Sequence, residues 1–201
     1  MKKELTEKII QVALRIARSG KGALIIVGGN PQTLYKTESK INQFNIKDDL
    51  KLFESLAIMD GAIILDDIGR MINYGVTVVP KKMLSGYGTR HGAGLSASID
   101  GATSFVVSEE DKKIRIIKEG EVVMQIDALE KNVDKNISEI SHLLESVGVG
   151  TVGTIGFAVV APSIGLIGLS LIPGVIVFGG LYYLIKKLNL IERLKPYDKN
   201  Y

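Results

Sequence analysis

The sequence contains no cysteine, so neither a disulfide bond nor a thiolate-bound metal ion is possible. It also lacks a strong excess of one charge, because 25 Lys and Arg residues stand against 22 Asp and Glu residues, for a net charge of +3. These charges are interspersed over most of the chain, which does not favour a groove that binds nucleic acid. We therefore expect no nucleic-acid partner.

Charged residues are missing altogether from the stretch between Glu145 and Lys186. One bilayer crossing needs roughly 20 apolar residues, so this stretch has room for two crossings. We therefore expect residues 147–188 to form an apolar helical hairpin in the cell membrane, with a basic tail at residues 189–201 on the cytoplasmic side. The alternative is a Gly-rich helical pair buried in a soluble, cytoplasmic oligomer.

The rest of the chain alternates between the patterns of helices and strands. An amphipathic N-terminal segment, with Leu5, Ile9 and Val12 on one face, predicts a helix rather than a secretory signal. Further helices are predicted at 48–57 and 91–99, and strands at 22–27, 62–65, 71–79, 103–107, 114–117 and 122–126. This alternation predicts an α/β fold in which helices flank a central, mostly buried mixed sheet.

We expect residues 1–128 to form the main domain, and an apolar stripe follows it. Its members recur at steps of three and four: Leu129, Val133, Ile137, Ile140, Leu144 and Val147. This spacing predicts an amphipathic linker helix over residues 129–146. Such a helix either packs on its own domain, which is the favoured arrangement, or pairs with a second copy in a coiled coil.

Three short polar clusters lie beside predicted strands, where a rigid scaffold can hold reactive groups. The first offers a carboxylate beside a glycine that permits close approach of a ligand. The second combines a glycine-containing loop with hydroxyl, guanidinium and imidazole groups, which suits a polyphosphate. The third supplies carboxylates, the hard oxygen ligands that Mg²⁺ or Mn²⁺ prefers. The clusters are Asp60-Gly61-Ala62, Gly88-Thr89-Arg90-His91 and Ser108-Glu109-Glu110.

Each cluster also has a simpler interpretation. Asp60-Gly61 is typical of a turn before a strand. Thr89 is typical of a helix cap, which would leave Arg90 solvated and His91 in the core. The acidic pair after Ser108 is typical of a solvated hairpin turn. No single cluster decides between these structural interpretations and a functional site.

In their order and spacing, however, the clusters resemble the diadenylate cyclase domain family. Members carry an Asp-Gly-Ala motif and, further along, a Gly-Thr-Arg-His-Arg motif. Here Met59-Asp60-Gly61-Ala62-Ile63 and Gly88-Thr89-Arg90-His91 match both, and Val107-Ser108-Glu109-Glu110 resembles a downstream motif of the membrane-anchored branch. The likeness covers residues 1 to about 126. It departs from the family at Gly92, where the motif usually has a second Arg; Lys81, Lys82 or Arg70 are candidates to replace that charge.

The resemblance implies an enzyme that joins two ATP molecules into cyclic di-AMP and two pyrophosphates, working as a homodimer or higher oligomer whose protomers face each other. It implies a Mg²⁺ or Mn²⁺ ion bound by Asp60 and Glu109. It also implies the catalytic residues Asp60, Gly61, Ala62, Arg90 and His91, and the ATP contacts Val79, Gly88, Thr89, Arg90, His91 and Ser108. Two alternatives are a nucleotide-binding sensor with weak or no turnover, which Gly92 favours, and a membrane scaffold with the same fold.

Overall fold

The computed structural model describes residues 1–29, 35–36, 43–79, 88–147 and 169–170. The predicted membrane hairpin at residues 147–188 and the basic tail at 189–201 fall almost entirely outside these ranges. Within the described ranges, no helix combines the length and the apolar character that a bilayer crossing requires.

A mixed β-sheet forms the centre of the fold, as predicted. Its strands are β1 (Ala23–Val27), β2 (Tyr35–Lys36), β3 (Ala62–Leu65), β4 (Met71–Val78), β5 (Thr103–Val107), β6 (Lys113–Lys118), β7 (Glu121–Asp127) and β8 (Leu169–Ser170). They lie in the order β2-β4-β3-β1-β5-β6-β7-β8, so the short strands β2 and β8 are at the edges. Strands β1 and β3 are parallel, whereas the other neighbouring pairs are antiparallel.

Four α-helices accompany the sheet within the described residues. They are α1 (Lys3–Arg18), α2 (Leu50–Ala57), α3 (Thr89–Ile99) and α4 (Ile137–Val147), and a 3₁₀ turn over Val133–Asn136 precedes α4. The predicted helices at the N-terminus, at 48–57 and at 91–99 are all present. Helix α2 begins later than predicted because the side chain of Asp49 caps it, accepting hydrogen bonds from the backbone amides of Lys51 and Leu52.

Two apolar layers enclose the sheet, one on each face. Helices α1, α2 and α4 share a cluster of buried side chains with Ile25 of β1, whereas α3 shares a second cluster with the neighbouring Leu24 and Ile26. Successive side chains of a strand point to opposite faces, so a strand covered on both sides is apolar throughout. This explains the unbroken apolar run in β1. Among the helices that the structure describes, only α3 covers the second face.

The stripe after the main domain packs on that domain, as favoured above. Val133, Ile140 and Leu144 are buried in the cluster that contains α1. The helix itself begins only at Ile137, and Leu129 lies before it with 67% of its surface exposed. The predicted start at residue 129 is therefore wrong. Its physical reason is the Asp127 carboxylate, which accepts a hydrogen bond from the backbone amide of Leu129 at 2.9 Å and so favours a turn there.

Candidate functional site

The first turn of α3 carries the second of the predicted clusters. Gly88 precedes the helix in an extended conformation and makes no side-chain cap, so Thr89 is the first helical residue rather than the cap that the simpler interpretation expected. The carbonyl of Gly88 accepts hydrogen bonds from the backbone amides of His91 and Gly92 at 3.1 and 3.3 Å. The first amides of a helix have no intrahelical acceptor, and the helix dipole favours an anion beside them.

Two cavities adjoin at this helix start, because Thr89 and Arg90 line both of them. The larger has a volume of about 490 Å³ and the smaller about 270 Å³. The larger is lined by Leu24, Asp60, Gly61, Ala62, Gly75, Val76, Thr77, Val78, Thr89, Arg90 and Ala93. The smaller is lined by Gly88, Thr89, Arg90, His91, Val107, Ser108, Glu109 and Glu110. All three predicted clusters therefore line one or other of two cavities that share Thr89 and Arg90.

The Asp60-Gly61 pair borders the larger cavity at the beginning of β3. Gly61 has φ +92°, and a β-carbon added there would lie 2.6 Å from the carbonyl carbon of Gly75 in β4. From its sequence context, this glycine is expected to permit the close approach of a ligand. The structure shows that the backbone of β4 makes the close approach. The carboxylate of Asp60 accepts a hydrogen bond from the amide of Gly61 at 3.0 Å, which turns this carboxylate toward its own backbone.

The guanidinium of Arg90 lies between β1 and the turn that joins β5 to β6. A β-carbon added at Gly22, just before β1, would lie only 2.5 Å from Nη1 of Arg90. On the other side, the same nitrogen lies 3.7 Å from Oε2 of Glu109. The side chain of Arg90 is therefore partly buried between Gly22 and Glu109. The simpler interpretation, in which Arg90 is fully solvated, does not describe it.

The two predicted metal ligands lie in different cavities. Asp60 lines the larger cavity and Glu109 the smaller, with Arg90 lining both. No group of three or more His, Asp or Glu side chains placed to hold a metal ion occurs among the described residues. Two separate carboxylates nevertheless suit Mg²⁺, which is usually bound through one or two carboxylates together with substrate phosphates. The donor set therefore fits a metal ion that arrives with a nucleotide.

His91 belongs to a hydrogen-bonded row of side chains that was not predicted from the sequence. Nη1 of Arg115, in β6, lies 3.2 Å from Nε2 of His91. Both guanidinium Nη atoms also donate to the carboxylate of Asp111 in the β5–β6 turn. Burial, helped by the cation of Arg115, lowers the pKa of His91. Although burial opposes it, the hydrogen bond from Arg115 lowers the pKa of Asp111 to about 2.

The other residues predicted for the site do not line either cavity where the structure describes them. Val79 follows β4 and is half exposed, and it is not among the described residues that line either cavity. Neither is Arg70, whose Nε lies 3.9 Å from Oδ2 of Asp66 in the β3–β4 turn. Lys81 and Lys82 fall outside the described residues. The structure therefore gives no support to Arg70 as the replacement for the charge missing at Gly92.

Comparison with known proteins identifies relatives of this domain. The family model described as DisA bacterial checkpoint controller nucleotide-binding matches residues 11–122. The diadenylate cyclase of Haloferax volcanii is 27% identical over 137 residues, which cover 59% of this chain and 51% of that protein. The chain thus spans about half the length of this curated relative.

Two solved structures are also similar. One is a hypothetical membrane spanning protein from Bacillus cereus, with 23% identity, a TM-score of 0.49, and coverage of 57% of this chain and 59% of that one. The other is a double mutant of DacA from Staphylococcus aureus, with 19% identity, a TM-score of 0.45, and coverage of 68% and 92%. Because the family model matches more than half of the sequence, the chain belongs to the DisA bacterial checkpoint controller nucleotide-binding family.

Proposed function

We propose that this protein is a diadenylate cyclase, which condenses two ATP molecules into cyclic di-AMP and releases two pyrophosphates. The observation that carries the proposal is that Thr89 and Arg90 line both cavities. The carboxylates of Asp60 and Glu109 therefore border the same cationic helix start from two sides. Family membership and the similarity to the Haloferax volcanii enzyme support the same activity.

The triphosphate of ATP binds at the first turn of α3 in this proposal. The backbone amides and dipole of a helix start favour phosphate, and a guanidinium such as that of Arg90 can bind two phosphate oxygens at once. The hydroxyls of Thr89 and Ser108 add hydrogen bonds, and His91 lines the same cavity. The nucleoside occupies the larger cavity, whose apolar side chains include Leu24 and Val76 and whose volume is typical of ligand sites.

Asp60 and Glu109 hold the Mg²⁺ or Mn²⁺ ion that accompanies ATP. Arg90 lies 3.7 Å from Glu109, and binding of a triphosphate offers Arg90 a more highly charged partner. Glu109 would then be free to act, together with Asp60, as a carboxylate ligand of the metal ion. When bound, the metal ion neutralises phosphate charge and makes the attacking hydroxyl more acidic.

In the reaction, the 3′-hydroxyl oxygen of one ATP forms a bond with the α-phosphorus of the other, and the bond from that phosphorus to pyrophosphate breaks. Asp60 accepts the hydroxyl proton. The same exchange in the opposite direction closes the ring. Each protomer presents one ATP, so a facing pair of protomers aligns the two nucleotides, and such alignment can supply about 7–11 kcal/mol.

The direct test is incubation of the purified protein with ATP and either Mn²⁺ or Mg²⁺, followed by mass spectrometry. Asp60→Asn should lower cyclic di-AMP formation at least about 100-fold, since it removes a base and a metal ligand. Asp67→Asn is the matched control, because Asp67 is an exposed acid at the other end of β3 and is not among the described residues lining either cavity. Full activity in Asp60→Asn would refute the role given to Asp60.

The two alternative functions, a nucleotide sensor and a scaffold, predict different results in the same experiment. A wild-type protein that binds ATP without forming product would be a nucleotide sensor. A wild-type protein that does not bind ATP at all would be a scaffold. An ATP-binding measurement by calorimetry alongside the product assay therefore separates the three functions.

We also propose that residues 147–188 anchor the domain at the cytoplasmic face of the cell membrane, where ATP is available. The support is the absence of charged residues between Glu145 and Lys186. The full chain should sediment with membranes and need detergent for extraction, whereas residues 1–147 alone should stay in the supernatant. Equal partitioning of the two chains would contradict a membrane anchor.

A further inference from the structure

Arg115 is a charged side chain buried where the sheet faces α3. Its partner across to β5 is Val106, which belongs to the α3-side cluster, whereas the flanking Ile114 and Ile116 belong to the cluster on the opposite face. Only about a tenth of the Arg115 side chain is exposed. Burial of a guanidinium is costly unless it is well paired. The groups that pair with Arg115 therefore indicate why it is there.

At one end, the contact with Arg115 fixes the protonation and the tautomer of the His91 imidazole. A guanidinium has only donors, so the Nε2 atom of His91, 3.2 Å from Nη1 of Arg115, must accept. The ring is then neutral and carries its proton on Nδ1. A ring nitrogen held in this way sets both the tautomer and the orientation of an imidazole.

The other end of the pairing fixes the β5–β6 turn. The carboxylate of Asp111 accepts from both Nη atoms of Arg115, and the amide of Asp111 donates to the hydroxyl oxygen of Ser108 at 3.4 Å. Ser108 and Glu109 line the smaller cavity, but Asp111 and Arg115 are not among the described residues that line it. Arg115 thus connects two walls of the cavity, the start of α3 and the turn, without reaching the cavity itself.

We propose that Arg115, clamped by Asp111, is a positioning residue for the triphosphate site. It holds His91 in one tautomer and fixes the position of the β5–β6 turn relative to the first turn of α3. This inference rests on the proposed function, because it assigns those two walls to the phosphates of ATP. The nucleotide is contacted by the residues that Arg115 positions.

Two variants test this role through ATP binding and turnover. Arg115→Met keeps the length and removes the charge, and Asp111→Asn weakens the clamp at its exposed end and keeps the shape. Each should raise the Kd for ATP about 10-fold, the lower end of the loss that follows removal of a group that orients a metal-binding residue. The matched control is Arg18→Gln, which removes a two-pronged Arg–carboxylate pair with Asp134 elsewhere in the domain. It should leave the Kd for ATP unchanged.

A double-variant cycle separates positioning from general destabilisation. If Arg115 acts through His91, then Arg115→Met should add little in a His91→Gln background. The tautomer supplies a second signature, since the chain has only two histidines and His142→Gln assigns their ¹⁵N imidazole signals. His91 should lose its preference for the Nδ1-protonated form in Arg115→Met, while the signal of His142 should not move.

The outcomes distinguish this inference from the proposed function. If wild-type protein forms cyclic di-AMP, and folded Arg115→Met and Asp111→Asn keep both the ATP affinity and the His91 tautomer, the positioning role is wrong and the enzyme stands. If wild-type protein binds ATP without forming product, yet the variants lose affinity and the tautomer shifts, the function fails and the positioning role stands. Failure of the wild-type protein to bind ATP overturns both.

Discussion

Gly22 shows how one missing side chain can shape this site. Its backbone lies outside the left-handed region, so a glycine is not required there by conformation. The space that its β-carbon would fill is taken by the guanidinium of Arg90, and the carbonyl oxygen of Val107 lies at 3.2 Å from that position. Gly22 therefore leaves room for Arg90 between β1 and Glu109.

We expect Gly22→Ala to displace Arg90 and to raise KM for ATP roughly tenfold, the loss of about 1.4 kcal/mol of binding free energy. The free energy of unfolding should change by less than about 1 kcal/mol, because the end of a flexible side chain can move aside. Steady-state kinetics and urea unfolding measure the two quantities.

The control for this prediction is the same substitution in an Arg90→Ala background. Removal of the guanidinium takes away the side-chain atoms that lie nearest the added methyl group, so the two effects on ATP binding should not add. Additive effects in a binding assay would mean that Gly22→Ala perturbs the site by some route other than Arg90.

The residues that border the cavities were largely predictable from the sequence. The buried side chains that join the start of α3 to the β5–β6 turn were not. Asp60, Arg90 and Glu109 stand in short motifs beside strands, and the structure places them around adjoining cavities, although their catalytic and binding roles stay predictions. Arg115 and Asp111 were missed. A charge inside the apolar run of β6 was a visible signal, but it gains a meaning only when β6 and α3 are known to face each other.

Among the elements, the junction of β3 and β4 depends on two glycines with different surroundings. Gly61 has φ +92° and would place a β-carbon within 3 Å of the backbone of Gly75 and Val76. Gly75 also has a positive φ, of +62°, but among the described residues a β-carbon there would meet only the carbonyl oxygen of Asp60, at 3.6 Å. At both positions this backbone conformation would strain any other residue, but the space available to a β-carbon differs.

Gly61→Ala should therefore destabilise the domain more than Gly75→Ala. Backbone strain alone costs about 1–3 kcal/mol, and the clash at position 61 adds to that cost. Urea unfolding of both variants measures the difference. Equal losses would show that β4 moves away from β3 easily, in which case the clash argument for Gly61 is wrong.

The 3₁₀ turn before α4 is tied to α1 by an ion pair. Arg18 donates to both carboxylate oxygens of Asp134, at 3.0 and 2.6 Å, and to the carbonyl oxygen of Ala128 at 2.8 Å. The hydrogen bond from Arg18 lowers the pKa of Asp134 below its ordinary 3.8. A carboxylate with a lowered pKa stabilises the folded state when ionised and loses that contribution as the pH falls through its folded-state pKa.

We expect Asp134→Asn to lower the free energy of unfolding by about 0.2–1 kcal/mol at pH 7, the range for exposed ion pairs. The difference between wild type and variant should shrink progressively as the pH falls below about 4, because the wild-type carboxylate becomes protonated first in the unfolded chain and, at lower pH, in the folded protein. Urea unfolding at several pH values tests this, and a difference independent of pH would contradict it. Arg18→Gln should retain part of its loss at low pH, since it also removes the bond to Ala128.

The elements themselves were predicted well wherever one pattern dominated. Strands β3 and β5 have the predicted bounds, since Gly, Asp or Pro punctuates short apolar runs beside them. The predicted start of α4 was wrong because the apolar periodicity continued through residues that a hydrogen bond from the Leu129 amide to the Asp127 carboxylate holds in a turn. Local hydrogen bonding of this kind competes with helix formation and leaves little trace in the spacing of apolar residues.

At the scale of the whole molecule, the fold class followed from the sequence and the strand order did not. Continuous apolar runs in β1 and β3 indicate strands buried on both faces, which predicts helices on both sides of a sheet. That β1 lies between β3 and β5, parallel to one and antiparallel to the other, depends on contacts far apart in the chain. No local pattern encodes those contacts.

The proposed reaction also makes a prediction about assembly. A single protomer holds only one of the two reacting nucleotides, so a dilute protein should be less active per protomer than a concentrated one. Specific activity should rise with protein concentration until the dimer predominates and then become constant, in parallel with the mass measured by analytical ultracentrifugation. Constant specific activity over a range in which the protein changes from monomer to dimer would contradict catalysis between protomers.

The central claim, that one site region built around Arg90 binds ATP and presents it to a second ATP, is tested most directly by isotope mixing. The purified protein is incubated with equal amounts of unlabelled (light) ATP and ATP labelled with ¹³C in the adenosine (heavy ATP). Mass spectrometry then measures the masses and relative amounts of the products. We predict light, mixed and heavy cyclic di-AMP, with the mixed species most abundant as random pairing requires, and at least about 100-fold less of each from Asp60→Asn. Hydrolysis products alone, or undiminished cyclic di-AMP from Asp60→Asn, would contradict the account.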